Sequence, residues 1–223
     1  MGEAVIWHPS PNFGDRRDGA TPELIVLHYT AMETAEAARD WLCNPASEVS
    51  AHYLIAADGH IWQMVDERAR AWHAGAGEWQ GRGDVNSRSI GIELDNRGTH
   101  PFAAPLMDAL DRLLQQIMTR WAIPAEGVIG HSDMAPGRKI DPGPRFDWAR
   151  LAAAGLARET PTPDGMSQVP DTAAFRDLAA RLGYTASASE EALLKAVRDR
   201  HATTHQGPLS KADLAVVLGL LKA

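Results

Sequence analysis

Residues 24–29 read Leu-Ile-Val-Leu-His-Tyr, a run of apolar side chains that is rich in β-branched residues and too short for a helix. With no polar alternation, it reads as a buried strand. Three further runs are of the same kind: HYLIA (52–56), SIGIEL (89–94) and GVIGH (127–131), each bounded by Gly, Asp or Asn. Between them, Ala35–Leu42 and Pro105–Trp121 carry apolar residues at helical spacing, and in the second Leu106, Leu110, Leu113, Leu114 and Ile117 form one stripe. Asp58-Gly59, between YLIAA and IWQMV, is a two-residue hairpin signal, so at least one strand pair is antiparallel. The expected fold is α/β (α+β), a central mixed sheet flanked by helices.

Working towards the C-terminus, all seven tryptophans precede the proline-rich stretch RETPTPDGMSQVPD, residues 158–171. That compositional shift predicts a first domain over 1–157, a linker over 158–171 and a second unit over 172–223. The second unit carries helical patterns near 172–182, 190–202 and 210–221, with turns at Gly183 and Gly207-Pro208 and Ser210 as an N-cap, which reads as a small three-helix bundle.

The chain has 223 residues, 44% of them hydrophobic and 23% charged, as ordinary globular proteins do. A formal net charge of −7 and the absence of a basic stripe argue against nucleic acid as the main partner. The first twenty residues contain no apolar run of the kind a secretion signal needs, and no stretch approaches the ~18 apolar residues of a membrane span. A single cysteine, Cys43, precludes an internal disulfide and fits a reducing compartment. Its place in ARDWLCNP reads as a packed side chain at the end of a helix. The expected location is cytoplasmic, with periplasm or envelope as the alternative if a signal has been removed.

Of the nine histidines, His28 and His131 each end a buried strand, where side chains commonly enter a cleft. After His131 comes SDMAPGRKIDPGP, whose prolines and glycines prevent a helix and shape an extended loop. Lys139 and Asp141 are two apart there and project to the same side. Two imidazoles and a carboxylate make a three-ligand zinc site with one position left open, the arrangement of catalytic zinc. Glu93, an acid inside an apolar strand, is either a proton carrier or half of a buried salt bridge to Arg88 or Arg97. Trp72 and Trp79 are either a stacking surface for sugar or core. His52 reads as structural, and His8, His60, His100, His201 and His205 as solvent-facing.

LIVLHYTA, VSAHYLIAADGHIWQMV, RAWHAG, NSRSIGIELDN and above all GHSDMAPGRKIDPGP, in this order over about residues 21–150, resemble the zinc-dependent N-acetylmuramoyl-L-alanine amidases. That group includes a phage amidase called a lysozyme and the peptidoglycan recognition proteins. The resemblance implies one zinc per catalytic domain held by His28, His131 and Asp141, with Glu93 activating water and Lys139 stabilising the oxyanion. Tyr29 and His73 are the expected cleft-lining, substrate-binding residues.

The implied reaction is hydrolysis of the amide between N-acetylmuramic acid, or its anhydro form, and L-alanine in peptidoglycan or its fragments, as in wall degradation or muropeptide recycling. DNRGTHPFAAPLMDAL after Glu93 is shorter than the family pattern, so substrate preference is not carried over. The C-terminal unit, with LGY at 182–184, resembles a three-helix peptidoglycan-binding module, although Val197–His201 occupies the usual aromatic position of its second helix. Glycan binding and a purely structural cap both stand. The alternative function is a non-catalytic peptidoglycan or muropeptide receptor on the same fold. No HExxH supports a metalloprotease.

Overall fold

The computed structural model describes residues 5–161 and 171–222. In chain order the elements are β1 (Ile6–Trp7), β2 (Phe13–Gly14), β3 (Leu24–Tyr29), α1 (Ala35–Leu42), β4 (Tyr53–Ile55), β5 (Ile61–Gln63), β6 (Arg70–Ala71), α2 (Val85–Arg88) and β7 (Ser89–Leu94). Then follow α3 (Ala104–Trp121), β8 (Val128–Gly130), α4 (His131–Met134), α5 (Trp148–Ala153), α6 (Thr172–Leu182), α7 (Glu190–His201) and α8 (Lys211–Lys222). The main sheet runs in the order β1-β5-β4-β7-β3-β8, and β2 pairs with β6 in a separate antiparallel ribbon. It is mixed: β4, β7, β3 and β8 are parallel, and β5 is antiparallel to β4.

Alternation along the strands sorts the sheet's two faces. Ile25 and Leu27 of β3 and Ile90, Ile92 and Leu94 of β7 pack with the α3 stripe of Leu106, Leu110, Leu113, Leu114 and Ile117. Leu24, Val26 and Ile129 face the other way and share a core with Phe175, Leu182, Val197 and Val217 of the C-terminal helices. A third cluster seats α1 on Leu54, Trp62 and Met64. Strands covered on both faces need no polar alternation, which is why LIVLHY has none. Because Leu110 is fully buried in the first core, Leu110→Ala is expected to lower the unfolding free energy by about 2–5 kcal/mol in chemical denaturation.

The caps explain where the helices begin. Thr34 Oγ1 accepts from Ala37 N at 3.1 Å and Ser189 Oγ from Ala192 N at 3.2 Å. Ser210 and Asp213 cap each other reciprocally at the start of α8. Cys43 caps the C-terminal end of α1, half-buried.

Several expectations are corrected. The hairpin turn at Asp58-Gly59 has three loop residues, Ala57–Gly59, closed by Ala56 N to His60 O at 2.9 Å, with Gly59 at φ 96°. His131 opens a single helical turn rather than an extended loop, and Asp133 Oδ2 accepts from Gly130 N there at 2.7 Å. His201 and His205 are half-buried rather than fully solvent-facing, and their Nδ1 atoms meet Thr160 Oγ1 at 2.8 Å and Asp213 Oδ1 at 2.9 Å. Most of the expected linker, residues 162–170, lies outside the described residues. The apolar faces of the three C-terminal helices share a core with one face of the sheet.

Candidate metal centre and cleft

Register brings the site together. In the parallel pair β3–β7, His28 lies opposite Glu93, and in β3–β8, Leu27 lies opposite Gly130, so His131 follows immediately beside His28. The carboxyl ends of three parallel strands therefore deliver Glu93, His28 and His131 to one edge, where α/β sheets commonly place ligands. Asp141 is carried in by the loop after α4. A turn closed by Lys139 N to Ala135 O (3.0 Å) reverses the chain, and Ser132 N then holds Asp141 O at 2.9 Å.

His28 Nδ1, His131 Nδ1 and Asp141 Oδ2 converge at 2.9, 3.0 and 3.0 Å from one another. Their protons follow from the surrounding hydrogen bonds. Ser89 Oγ lies 2.6 Å from Val85 O, which can only accept, so the hydroxyl proton goes there. Ser89 Oγ must then accept from His73 Nε2, 3.1 Å away. Burial, with the neighbouring His28 and His52, keeps His73 well below the usual histidine range, so its Nδ1 carries a lone pair. That lone pair accepts from His28 Nε2 at 3.0 Å. Burial, with His131 beside it, likewise pushes His28 down to about 4, leaving His28 Nδ1 unprotonated. On the other side, His131 Nε2 donates to Ala74 O at 2.9 Å, which turns His131 Nδ1 towards the same point.

Two imidazole nitrogens, that of His28 a bare lone pair, and a carboxylate oxygen thus point at one spot, a donor set that suits a cation. Donors around a tetrahedral zinc at ~2.0–2.1 Å stand ~3.3 Å apart, a few tenths of an ångström from the spacing here. Among the described residues, these three alone form a His/Cys/Asp/Glu group that could hold a metal ion.

His73 was expected in the cleft wall as a substrate contact, and it does line the cleft. Both its ring nitrogens are engaged by His28 and Ser89. It stands behind His28, fixing its tautomer. Gly91 makes the room: a Cβ there would meet the His73 ring at 2.4 Å. His73→Phe, which fills the same space without the nitrogens, is expected to weaken metal binding about 10–100-fold in competition with a chelator while leaving the fold intact.

Glu93 has one carboxylate oxygen, Oε2, buried with no hydrogen-bond partner among the described residues. Among the described residues Glu93 forms no ion pair with Arg88 or Arg97, and Arg88 Nε donates instead to Glu23 Oε1 at 2.6 Å. Burial, with the Asp141 carboxylate nearby, pushes the Glu93 carboxyl up to about 8. Lys139, exposed on the loop, works in the opposite direction on Glu93.

A cleft of about 400 Å³ opens over these groups, lined by Tyr29, Trp41, Val49, Trp72, Arg138 and Lys139 among others. Tyr29 is one of its lining residues. Trp72 is in the wall, whereas Trp79 is buried edge-on against Tyr184 at 5.0 Å and belongs to the core. His52 is structural: its Nδ1 accepts from Gly91 N at 3.0 Å. Sequence reasoning missed Arg138, which donates to Ala74 O at 2.6 Å beside His131 Nε2. It also missed Trp41, half-exposed at the cleft mouth. No local pattern announces either.

Comparison with known proteins agrees with this geometry. The sequence profile described as N-acetylmuramoyl-L-alanine amidase matches residues 18–144. The chain is 37% identical over 189 residues to the Escherichia coli N-acetylmuramoyl-L-alanine amidase AmiD, covering 73% of this chain and 66% of AmiD. To the 1,6-anhydro-N-acetylmuramyl-L-alanine amidase AmpD of E. coli it is 37% identical over 169 residues, covering 68% of this chain and 92% of AmpD. The solved structure of E. coli AmiD with anhydro-N-acetylmuramic acid-L-Ala-D-γ-Glu-L-Lys superposes with TM-score 0.79 at 32% identity, covering 95% of this chain and 97% of that one. AmpDh3 of Pseudomonas aeruginosa, in complex with an anhydromuramic pentapeptide, superposes with TM-score 0.81 at 28% identity, covering 96% and 95%.

Proposed function

The chain belongs to the N-acetylmuramoyl-L-alanine amidase family, and we propose that it hydrolyses the amide between N-acetylmuramic acid and L-alanine with a zinc ion held by His28, His131 and Asp141. The observation that carries this reading is the convergence of His28 Nδ1, His131 Nδ1 and Asp141 Oδ2 beside a glutamate whose Oε2 has no partner among the described residues, all in one cleft. Zinc, when bound, supplies a Lewis acid beside the scissile carbonyl and brings the ionisation of water into the neutral range.

The rest is the work of side chains. Glu93, in its carboxylate form, takes the proton from the attacking water. Carbon–oxygen bond formation at the lactyl carbonyl leaves a tetrahedral oxyanion, and the Lys139 ammonium faces it from the cleft wall. Glu93 then gives its proton to the departing L-alanine amine as the carbon–nitrogen bond breaks. His73 and Ala74 O keep the two imidazoles turned the right way, and Tyr29 lines the side on which substrate enters.

The relatives held with anhydromuramyl peptides support a muropeptide as substrate. Among the described residues no helix is long and apolar enough to cross a membrane. The lone Cys43 supports a cytoplasmic site of action on recycled fragments. The test is to offer the zinc-loaded enzyme an anhydromuramyl-L-alanyl peptide and intact peptidoglycan side by side and to identify the released peptide by mass. Cleavage of the soluble fragment in preference to the wall is the expected outcome. Preferential release from intact wall would overturn the recycling assignment, and binding of both without cleavage would leave a receptor.

A further inference from the structure

Asp133 lies two residues after the ligand His131 and is 1% exposed. A carboxylate so deep needs donors on both oxygens. Oδ2 accepts from Gly130 N at 2.7 Å and from the Arg200 guanidinium, and Oδ1 accepts from the Tyr184 hydroxyl at 2.9 Å. The first donor is local. The other two come from the C-terminal helices: Arg200 is the penultimate residue of α7, and Tyr184 follows α6.

Arg200 does more than neutralise a charge. Its Nη2 donates to Val128 O at 2.8 Å, so one guanidinium bridges the first residue of β8 and the turn into which β8 leads. Its position is fixed from above by Trp148, whose ring centroid lies 4.4 Å away. A second grip acts on the loop opposite. Gln80 N donates to Gly183 O at 3.0 Å and Gly81 N to Thr185 Oγ1 at 2.8 Å. Gly183, at φ 124°, leaves the space into which the Trp79 ring fits. The segment leading into that loop carries Ala74, whose carbonyl takes the His131 Nε2 proton, and Glu78, whose N–H holds Met134 O at 2.8 Å. Both surroundings of His131, its own turn and its carbonyl partner, are thus tied to the same three helices.

We propose that the C-terminal three-helix unit is a positioning device for the metal centre, in which Arg200 and Tyr184 hold Asp133 and thereby aim His131 Nδ1. The proposal rests on the metal-centre reading above. Arg200 and Tyr184 are positioning residues, since they act on the metal only through Asp133 and the β8–α4 junction.

The experiment compares Arg200→Met, which keeps an apolar stem but loses the guanidinium, and the milder Tyr184→Phe with Arg198→Met. The last breaks the buried Arg198–Asp213 pair within the helical unit and away from α4. All are studied as full chains at a temperature where circular dichroism shows them folded. Zinc affinity is read by chelator competition, the visible absorption of the cobalt-loaded proteins is recorded, and kcat and KM are measured. Arg200→Met is expected to bind zinc about 10-fold or more weakly, to alter the cobalt spectrum, and to lose kcat with KM little changed. Tyr184→Phe should follow in the same direction. Arg198→Met should lose thermal stability yet keep wild-type zinc affinity and cobalt spectrum. Wild-type zinc affinity and spectrum in Arg200→Met, or equal losses in Arg198→Met, would overturn the proposal. Failure of the wild-type protein to bind zinc would instead overturn the metal-centre reading on which it rests.

Discussion

Asp141→Ala is expected to abolish zinc binding at ordinary concentrations and the amidase activity with it. Asp141 Oδ2 lies 3.0 Å from both His28 Nδ1 and His131 Nδ1 and is the one anionic member of the set. Losing even an outer partner of a metal ligand costs 10–100-fold in affinity, so losing the charged ligand itself should exceed ~10²-fold in a chelator competition. The rate at limiting zinc should fall by at least ~10²-fold. The fold should survive, because the contact that seats the loop is made by the backbone: Ser132 N to Asp141 O. A folded Asp141→Ala protein with wild-type zinc affinity would show that the three donors are not the metal site.

Glu93→Gln should separate chemistry from metal binding. The amide keeps the shape but cannot take a proton, so turnover is expected to drop ~10²–10⁴-fold while zinc affinity stays near wild type. The same variant should be more stable than wild type in alkaline, chelated protein. Burial, with Asp141, pushes the Glu93 carboxyl up from 4.5 to about 8. Between those values the folded protein holds a proton that the unfolded chain has released. Wild-type stability therefore falls as pH rises from about 4.5 to 8, and the full penalty is present above pH 8. Glu93→Gln removes it, a gain of ~2–4 kcal/mol after allowance for partial solvent access. Such a trade of stability for a poised base is common at active sites. Denaturant titrations of both proteins across that pH range provide the check; parallel curves would mean that Glu93 ionises normally and is no special base.

Long elements were legible in the sequence because their patterns are local. LIVLHY and SIGIEL fall on β3 and β7 residue for residue, and Ala35–Leu42 on α1. Two-residue strands such as β1, β2 and β6 have no period to read and went unnoticed. Register was the larger gap. Nothing in the two apolar runs says that they are parallel neighbours with His28 opposite Glu93. The pairing of these residues rested on family resemblance until the sheet order supplied the physical reason.

The hydrogen-bond chain behind His28 was hidden for a related cause. His73 could be suspected from RAWHAG, but its role behind His28 depends on the empty side-chain position at Gly91 and on Ser89 spending its proton on Val85 O. Asp133 and Arg200 are 67 residues apart in sequence. No helical periodicity signals that a basic residue near the end of α7 lies under the first residues of α4. Their pairing turns an apparent appendage into part of the core.

The most direct test of the central claim is a chelation and reloading cycle on an anhydromuramyl-L-alanyl peptide, with metal content measured at each stage and products identified by mass. About one zinc per chain is expected, with cleavage only at the muramyl–alanine bond, loss of activity on chelation and recovery in proportion to zinc returned. Full activity in metal-free protein, or cleavage at another bond, would contradict it.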